Sequence, residues 1–172
     1  RGCGRARMSR LAGPWRALAE CVVAAYRAAL GDDLVAVAVF GSVARGTAGP
    51  ASDLDLYVVT RPQEPVALDP RLSERWRVCE TPEYLRLARE GYRPDPRPVF
   101  HTVEQLRSHP WILLDIADHG VVLYDPERVL ETELEAVRAR LRALGSKRIE
   151  RPDVTWYWDL KPDWRPGQII EL

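Results

Sequence analysis

With 172 residues, 46% of them apolar and 29% charged, the chain has the balance of a globular protein with one core and is too short for two ordinary domains. Twenty-five basic and 25 acidic residues cancel to a formal charge of zero, which argues against a protein built for non-specific binding of nucleic acid. No run of about 18 apolar residues occurs, so no membrane span is expected. Cys3, Cys21 and Cys79 lack zinc-type spacing and read as reduced thiols of a cytoplasmic protein.

Residues 1–13 are basic and read as a disordered N-terminal extension. From Pro14 to Leu30 apolar residues recur at Trp15, Leu18, Val22, Tyr26 and Leu30, a helical stripe with proline in the first turn and Gly31 at the end. Leu34 to Phe40 is continuously apolar, as in a strand buried on both faces. A Gly41-Ser42 turn and a small-residue loop, Arg45 to Ser52, follow, and a second apolar strand opens with Asp53-Leu54-Asp55. Alternation along a strand puts Asp53 and Asp55 on one face. Two adjacent carboxylates repel unless a cation sits between them, and hard divalent ions such as Mg²⁺ prefer oxygen ligands. Gly41 permits a sharp turn and close approach of a ligand to the main chain, while Ser42 and the amides after it can hold an anion. Phosphate on the turn and metal on the acids together describe a nucleoside triphosphate site; Arg45 either reaches the phosphates or is an isolated surface arginine.

Arg61 to Pro70 reads as a surface connection and Leu72 to Cys79 as a short helix. Thr81-Pro82-Glu83 opens another helix, with Tyr84, Leu85, Leu87 and Ala88 towards the core and Gly91 at its end. Arg93 to Pro98 leads into a third strand at Val99 to Thr102; its prolines cannot donate to a ladder, so this is an edge or bulged entry. Thr102 to Gln105 has the form of a capping box. Two helical pieces broken by Pro110 end at Gly120, and Val121 to Tyr124 forms another strand. Asp125-Pro126-Glu127 opens a helix that runs to Leu144. Its basic end, with Arg138, Arg148 and their neighbours, either complements the helix dipole or attracts an acidic partner. The three histidines form no ligand cluster by spacing. Trp156, Trp158 and Trp164 are costly to expose, so the tail docks on the domain or stacks on a base.

Gly41-Ser42, the ten residues 43–52, then Asp53-x-Asp55, with Arg45-Gly46 and Ser52 in place, resembles the signature of the DNA polymerase β nucleotidyltransferase superfamily, in particular its minimal nucleotidyltransferases. A weaker likeness continues through Leu123-Tyr124-Asp125. The resemblance implies an α/β fold with a mixed sheet of about four or five strands and helices mainly on one face. Residues 14–145 would be the nucleotidyltransferase domain and 146–172 a Trp-rich tail packed on it. One or two Mg²⁺ would lie on Asp53 and Asp55, and ATP or another NTP on Gly41, Ser42 and Arg45. The implied reaction moves a nucleoside monophosphate, AMP first among them, to a hydroxyl of a protein, RNA or small molecule. A helical, HEPN-type partner protein and a homodimer are further expectations of this kind. Family members carry a third carboxylate on the next strand, where this chain has Arg97. Asp95, two residues earlier, is the candidate for that role, its other reading being a proline-flanked turn residue. The gap leaves open a second class of function, an inactive nucleotide-binding or partner-binding module of antitoxin-like type.

Overall fold

The computed structural model describes residues 11–61, 78–151 and 156–170. The extension expected at 1–13 therefore falls, for residues 1–10, outside the described residues. So do most of the surface connection and of the helix expected from Leu72, which lie within 62–77.

Helix α1 (Gly13–Leu30) buries Leu18, Val22, Tyr26 and Leu30 along the expected stripe, and Gly31, at φ 56°, caps it. Each such side chain contributes roughly 1.5–3 kcal/mol relative to exposure. Strand β1 (Leu34–Val39) is buried at every residue. It pairs antiparallel with β2 (Leu54–Thr60) through one irregularity, in which Val35 is an extra residue between the pairs Leu34–Thr60 and Ala36–Val59. Strand β3 (Pro96–Thr102) runs parallel to β2 and starts three residues earlier than the sequence suggests. The sheet order is β3–β2–β1–β4, with β4 (Val121–Tyr124) antiparallel to β1. The prolines of β3 thus sit on an edge, where a missing N–H is tolerated.

Two apolar clusters divide at the sheet. Leu34, Val37, Val39, Leu54, Leu56 and Val58 face α1, with Leu87 of α3 (Pro82–Arg89) beside them. Val35, Ala36, Ala38, Tyr57 and Val59 face α4 (Val103–Arg107), α5 (Ile112–His119) and α6 (Val129–Leu144). The expected mixed sheet is present, and its helices divide between both faces because β1 and β2 are apolar on each side.

Local signals held at most boundaries. The Thr81 hydroxyl accepts from the Tyr84 amide, and Thr102 and Gln105 form a reciprocal capping box. On α3 only Leu87 is buried; Leu85 is 47% exposed and Ala88 is exposed, contrary to the expected core face. Helix α6 starts at Val129, after Arg128 in the left-handed region at φ 54°, and not at Asp125-Pro126-Glu127. Asp125 still caps it from a distance, since its Oδ2 accepts the Glu131 amide at 2.8 Å. The largest departure is at the C-terminal end. Lys147–Glu150 (β5) and Trp156–Asp159 (β6) pair as an antiparallel hairpin. Trp158 and Leu160 pack against the cluster beneath α5 and α6. Arg148 ties the hairpin to α5 through Asp118, at 3.0 Å, and through His119.

Candidate active site

The first half of the site is made where β1 ends. Gly41 adopts φ 70°, a left-handed conformation that L side chains rarely take. A five-residue helical turn, α2 (Gly41–Arg45), follows and is closed by Gly46 at φ 73°. The Phe40 amide donates to the Asp55 carbonyl at 3.1 Å and so fixes the turn against β2. A Cβ added to Gly41 would lie 2.1 Å from Asp55 Oδ2 and 3.0 Å from its Cγ. Glycine is therefore required twice over, by backbone conformation and because the Asp55 carboxylate rests on its open face.

The loop after α2 is stitched together more closely than its Gly- and Pro-containing composition suggests. Ser42 Oγ donates to Ser52 Oγ at 3.0 Å, and the Gly49 amide donates to the same Ser52 oxygen at 3.0 Å. The Thr47 amide reaches the Ser42 carbonyl at 2.9 Å. Ser42 and Ser52, which flank residues 43–51, are thus joined side chain to side chain.

The second half is the acid pair. Asp53 lies two residues before Asp55, at the mouth of β2, on the face that Tyr57 and Val59 turn towards α4–α6. Asp55 is half-buried, and its carboxyl is held above the usual carboxylate range, by burial first and by the charge of Asp53 second; Arg45 and Arg97 pull it the other way. The parallel register sets Arg97 directly beside Asp55. Its Nε lies 3.5 Å from Asp53 Oδ2, with the arginine 65% and the aspartate 39% exposed.

Asp95 takes a different position. It precedes the first residue of β3; its carbonyl accepts the Leu54 amide at 3.0 Å, and its Oδ1 accepts the Tyr84 hydroxyl at 2.7 Å. That hydrogen bond holds Tyr84 firmly protonated. Among the described residues no group of three or more His, Cys, Asp or Glu side chains is gathered as a metal cluster, so Asp95 does not join Asp53 and Asp55 in one.

Arg45, at the end of α2, acts electrostatically on Asp55 and also on Asp115 of α5, a half-buried acid whose carboxyl is raised chiefly by burial. Nothing in the sequence singles out Asp115, because only the crossing of α2 and α5 brings it near. The histidines are all engaged. His101 Nδ1 meets the Tyr57 hydroxyl at 2.8 Å, His109 pairs with Glu133 at 3.0 Å, and His119 with Asp118 at 2.9 Å. Two basic residues of the cluster at and after the end of α6 are also committed, Arg138 to Glu131 and the Ala117 carbonyl, and Arg148 to Asp118 and Glu150. This favours the structural reading for those two residues.

A family model described as a nucleotidyltransferase domain matches residues 25–119, more than half of the chain. The chain belongs to the nucleotidyltransferase-domain family. It is a transferase by that membership, and the matched span holds the Gly41 turn, the acid pair, β3 and α5. Among solved structures, this nucleotidyltransferase is similar to a toxin–antitoxin complex with AMP-PNP, at 21% identity, with 73% of this chain and 88% of that one covered and a TM-score of 0.43. It is also similar to the MntA–HepT toxin–antitoxin structure, at 17% identity over 75% and 88% of the two chains, with a TM-score of 0.42. A third is the structure of the tri-AMPylated Shewanella oneidensis HEPN toxin in complex with MNT antitoxin, at 18% identity over 74% and 89%, with a TM-score of 0.41. No curated protein matches the chain.

The donor set of this nucleotidyltransferase fits a hard divalent cation. Asp53 and Asp55 offer oxygen ligands alone, and the strain that Asp53 imposes on the half-buried Asp55 is of the kind a cation relieves. Two carboxylates leave most of an octahedral shell to water or to phosphate oxygens, as Mg²⁺ prefers.

Proposed function

We propose that this nucleotidyltransferase transfers a nucleoside monophosphate, AMP from Mg-ATP first, to a hydroxyl of an acceptor, with release of pyrophosphate. The single observation that carries this reading is the seating of the Asp55 carboxylate on the open face of Gly41, which brings the acid pair and the Gly41-Ser42 turn into contact. Asp53 and Asp55 would hold one or two Mg²⁺. Bound there, the cation supplies charge neutralisation for the triphosphate and makes the acceptor oxygen a better nucleophile.

The remaining work belongs to the chain itself. Gly41 gives the turn its left-handed bend and seats Asp55 on its open face, so the phosphate falls to the backbone amides that follow and to the Ser42 hydroxyl, released from Ser52. Arg45 adds positive charge on the side of Asp115. These groups hold the outer phosphates so that the α-phosphorus faces the acid pair; the contribution is positioning and charge stabilisation. The acceptor oxygen bonds to the α-phosphorus as the bond to the bridging oxygen breaks, pyrophosphate departs with that electron pair, and the hydroxyl proton passes to solvent. The acceptor we assign is a helical HEPN-type protein, a reading supported by the likeness of the motif to minimal nucleotidyltransferases. The same reading makes 14–145 the catalytic domain and 146–172 a tail packed on it, supported by the contacts of Trp158 and Leu160.

Incubation with Mg²⁺, α-labelled ATP, CTP, GTP or UTP and a candidate acceptor tests the proposal by label transfer and pyrophosphate release. The double change of Asp53 and Asp55 to Asn should abolish turnover with the circular dichroism spectrum unchanged. Survival of activity in the double variant overturns the assigned site. Nucleotide binding without turnover would favour the non-catalytic module, whose specific support is Arg97 beside Asp55.

A further inference from the structure

Arg97 occupies an unusual place. It is fixed by the β2–β3 register beside Asp55, ion-paired to Asp53, and on the face of the sheet where both acids point. An exposed ion pair of this type adds little to stability, on the order of 0–1 kcal/mol, so its position asks for another account. A guanidinium beside two carboxylates is a resident counter-ion, and any divalent cation that joins the same oxygens must displace it or share them. At 65% exposure the side chain has room to swing away while its Cα stays anchored in β3. Its planar fork of donors matches phosphate oxygens.

We infer that Arg97 is a positioning residue that couples cation to nucleotide: it weakens divalent-ion binding by the acid pair alone and turns to the triphosphate once nucleotide enters. Free metal is then a poor ligand and metal with nucleotide a good one, so the pair of acids is engaged chiefly when substrate is present. This inference rests on the nucleotide site assigned above and specifies how that site discriminates.

The test uses the full chain, with Mn²⁺ binding followed by electron paramagnetic resonance and ATP binding at saturating Mn²⁺ followed by calorimetry. Arg97→Gln is expected to tighten Mn²⁺ alone by roughly two- to fivefold, the range an exposed ion pair allows. It is expected to weaken ATP at saturating Mn²⁺ by roughly three- to tenfold, as loss of an exposed charge-assisted hydrogen bond would. Arg97→Lys, which keeps the charge but not the planar fork, should leave Mn²⁺ binding close to wild type and give up part of the ATP affinity, and Arg97→Asp should tighten Mn²⁺ further than Arg97→Gln. These opposite signs are not produced by a merely structural role. Unchanged or weaker Mn²⁺ binding in Arg97→Gln, or unchanged ATP binding, overturns the coupling. The Asp53→Asn, Asp55→Asn protein separates the two levels. If it loses Mn²⁺ binding while Arg97→Gln behaves as wild type, only the coupling fails; if it binds Mn²⁺ normally, the site itself is misassigned and the coupling falls with it.

Discussion

Replacing Gly41 with alanine separates two costs that are usually confounded. The first is conformational: a residue with a Cβ at φ 70° loses on the order of 1–2 kcal/mol. The second is steric. The new Cβ would stand 2.1 Å from Asp55 Oδ2, 3.0 Å from Cγ and 3.3 Å from Cβ, so the acid cannot avoid it by rotating one atom and must retreat by about 1 Å. Overpacking of that size adds roughly 1–3 kcal/mol, and a displacement of about 1 Å at a reacting centre costs on the order of 10²-fold in rate. Gly145→Ala is the control for conformation alone, since its φ is 67° and nothing lies within 4 Å of the added carbon. Gly49→Ala, with neither strain nor neighbours, should stay within about 0.5 kcal/mol of wild type. The assay is chemical denaturation of the three variants with label transfer measured in parallel, followed by Gly41→Ala in an Asp55→Ala background. Removing the carboxylate should bring the cost of Gly41→Ala down to that of Gly145→Ala, without restoring transfer. An equal loss for Gly41→Ala in both backgrounds would refute the claim that Asp55 rests on this glycine.

Asp55 itself should be a destabilising residue in the absence of ligands. Its folded-state carboxyl is raised by burial and by Asp53, so the penalty is present above the ordinary carboxylate range and is relieved as pH falls through it. Asp55→Asn should therefore raise Tm at pH 7, the gain vanishing towards about pH 4, while transfer is lost; an unchanged Tm at neutral pH would contradict the strain assigned to the pair. The Tyr57–His101 pair predicts the reverse trend. Burial pulls His101 below its usual value, so the unfolded chain binds the proton more tightly and stability is lost as pH falls from about 7 towards 5. His101→Gln should flatten that slope in thermal scans, and an identical slope would assign the loss elsewhere. Finally, Asp95→Asn keeps an acceptor for Tyr84 and should leave transfer within about threefold of wild type, against a loss of about 10²-fold or more for Asp53→Asn. Equal losses would make Asp95 the missing third carboxylate.

Much of this was readable because the chemistry is local. A strand, a glycine turn and a strand with two alternating acids form one consecutive stretch, so turn and acids had to meet if the two strands paired, as they do from Leu34–Thr60 to Val39–Leu56. Caps were equally legible, since Thr81 and Thr102 bond to amides three residues on. What escaped the sequence depends on distant elements. The role of Arg97 requires knowing that β3 runs parallel to β2 and in which register. The approach of Asp115 to Arg45 depends on where α5 crosses α2. The start of α6 moved because Asp125 reaches the Glu131 amide from outside the helix, a cap that ordinary spacing does not anticipate. The β5–β6 hairpin carried only an apolar signal in Trp156 and Trp158, which announces burial but not pairing.

The extra residue in β1 has a consequence for how this stretch tolerates change in length. Because Val35 stands between two pairs that otherwise follow in step, its deletion would let Leu34 and Ala36 face Thr60 and Val59 as an ordinary ladder, at the cost of one buried valine. Removal of any single residue from 37–39 would instead rotate all that follows by half a pleat and carry Gly41 to the wrong side of Asp55. Val35 is thus slack in the line, and residues 37–39 are the fixed gauge by which the meeting of Gly41 and Asp55 is set.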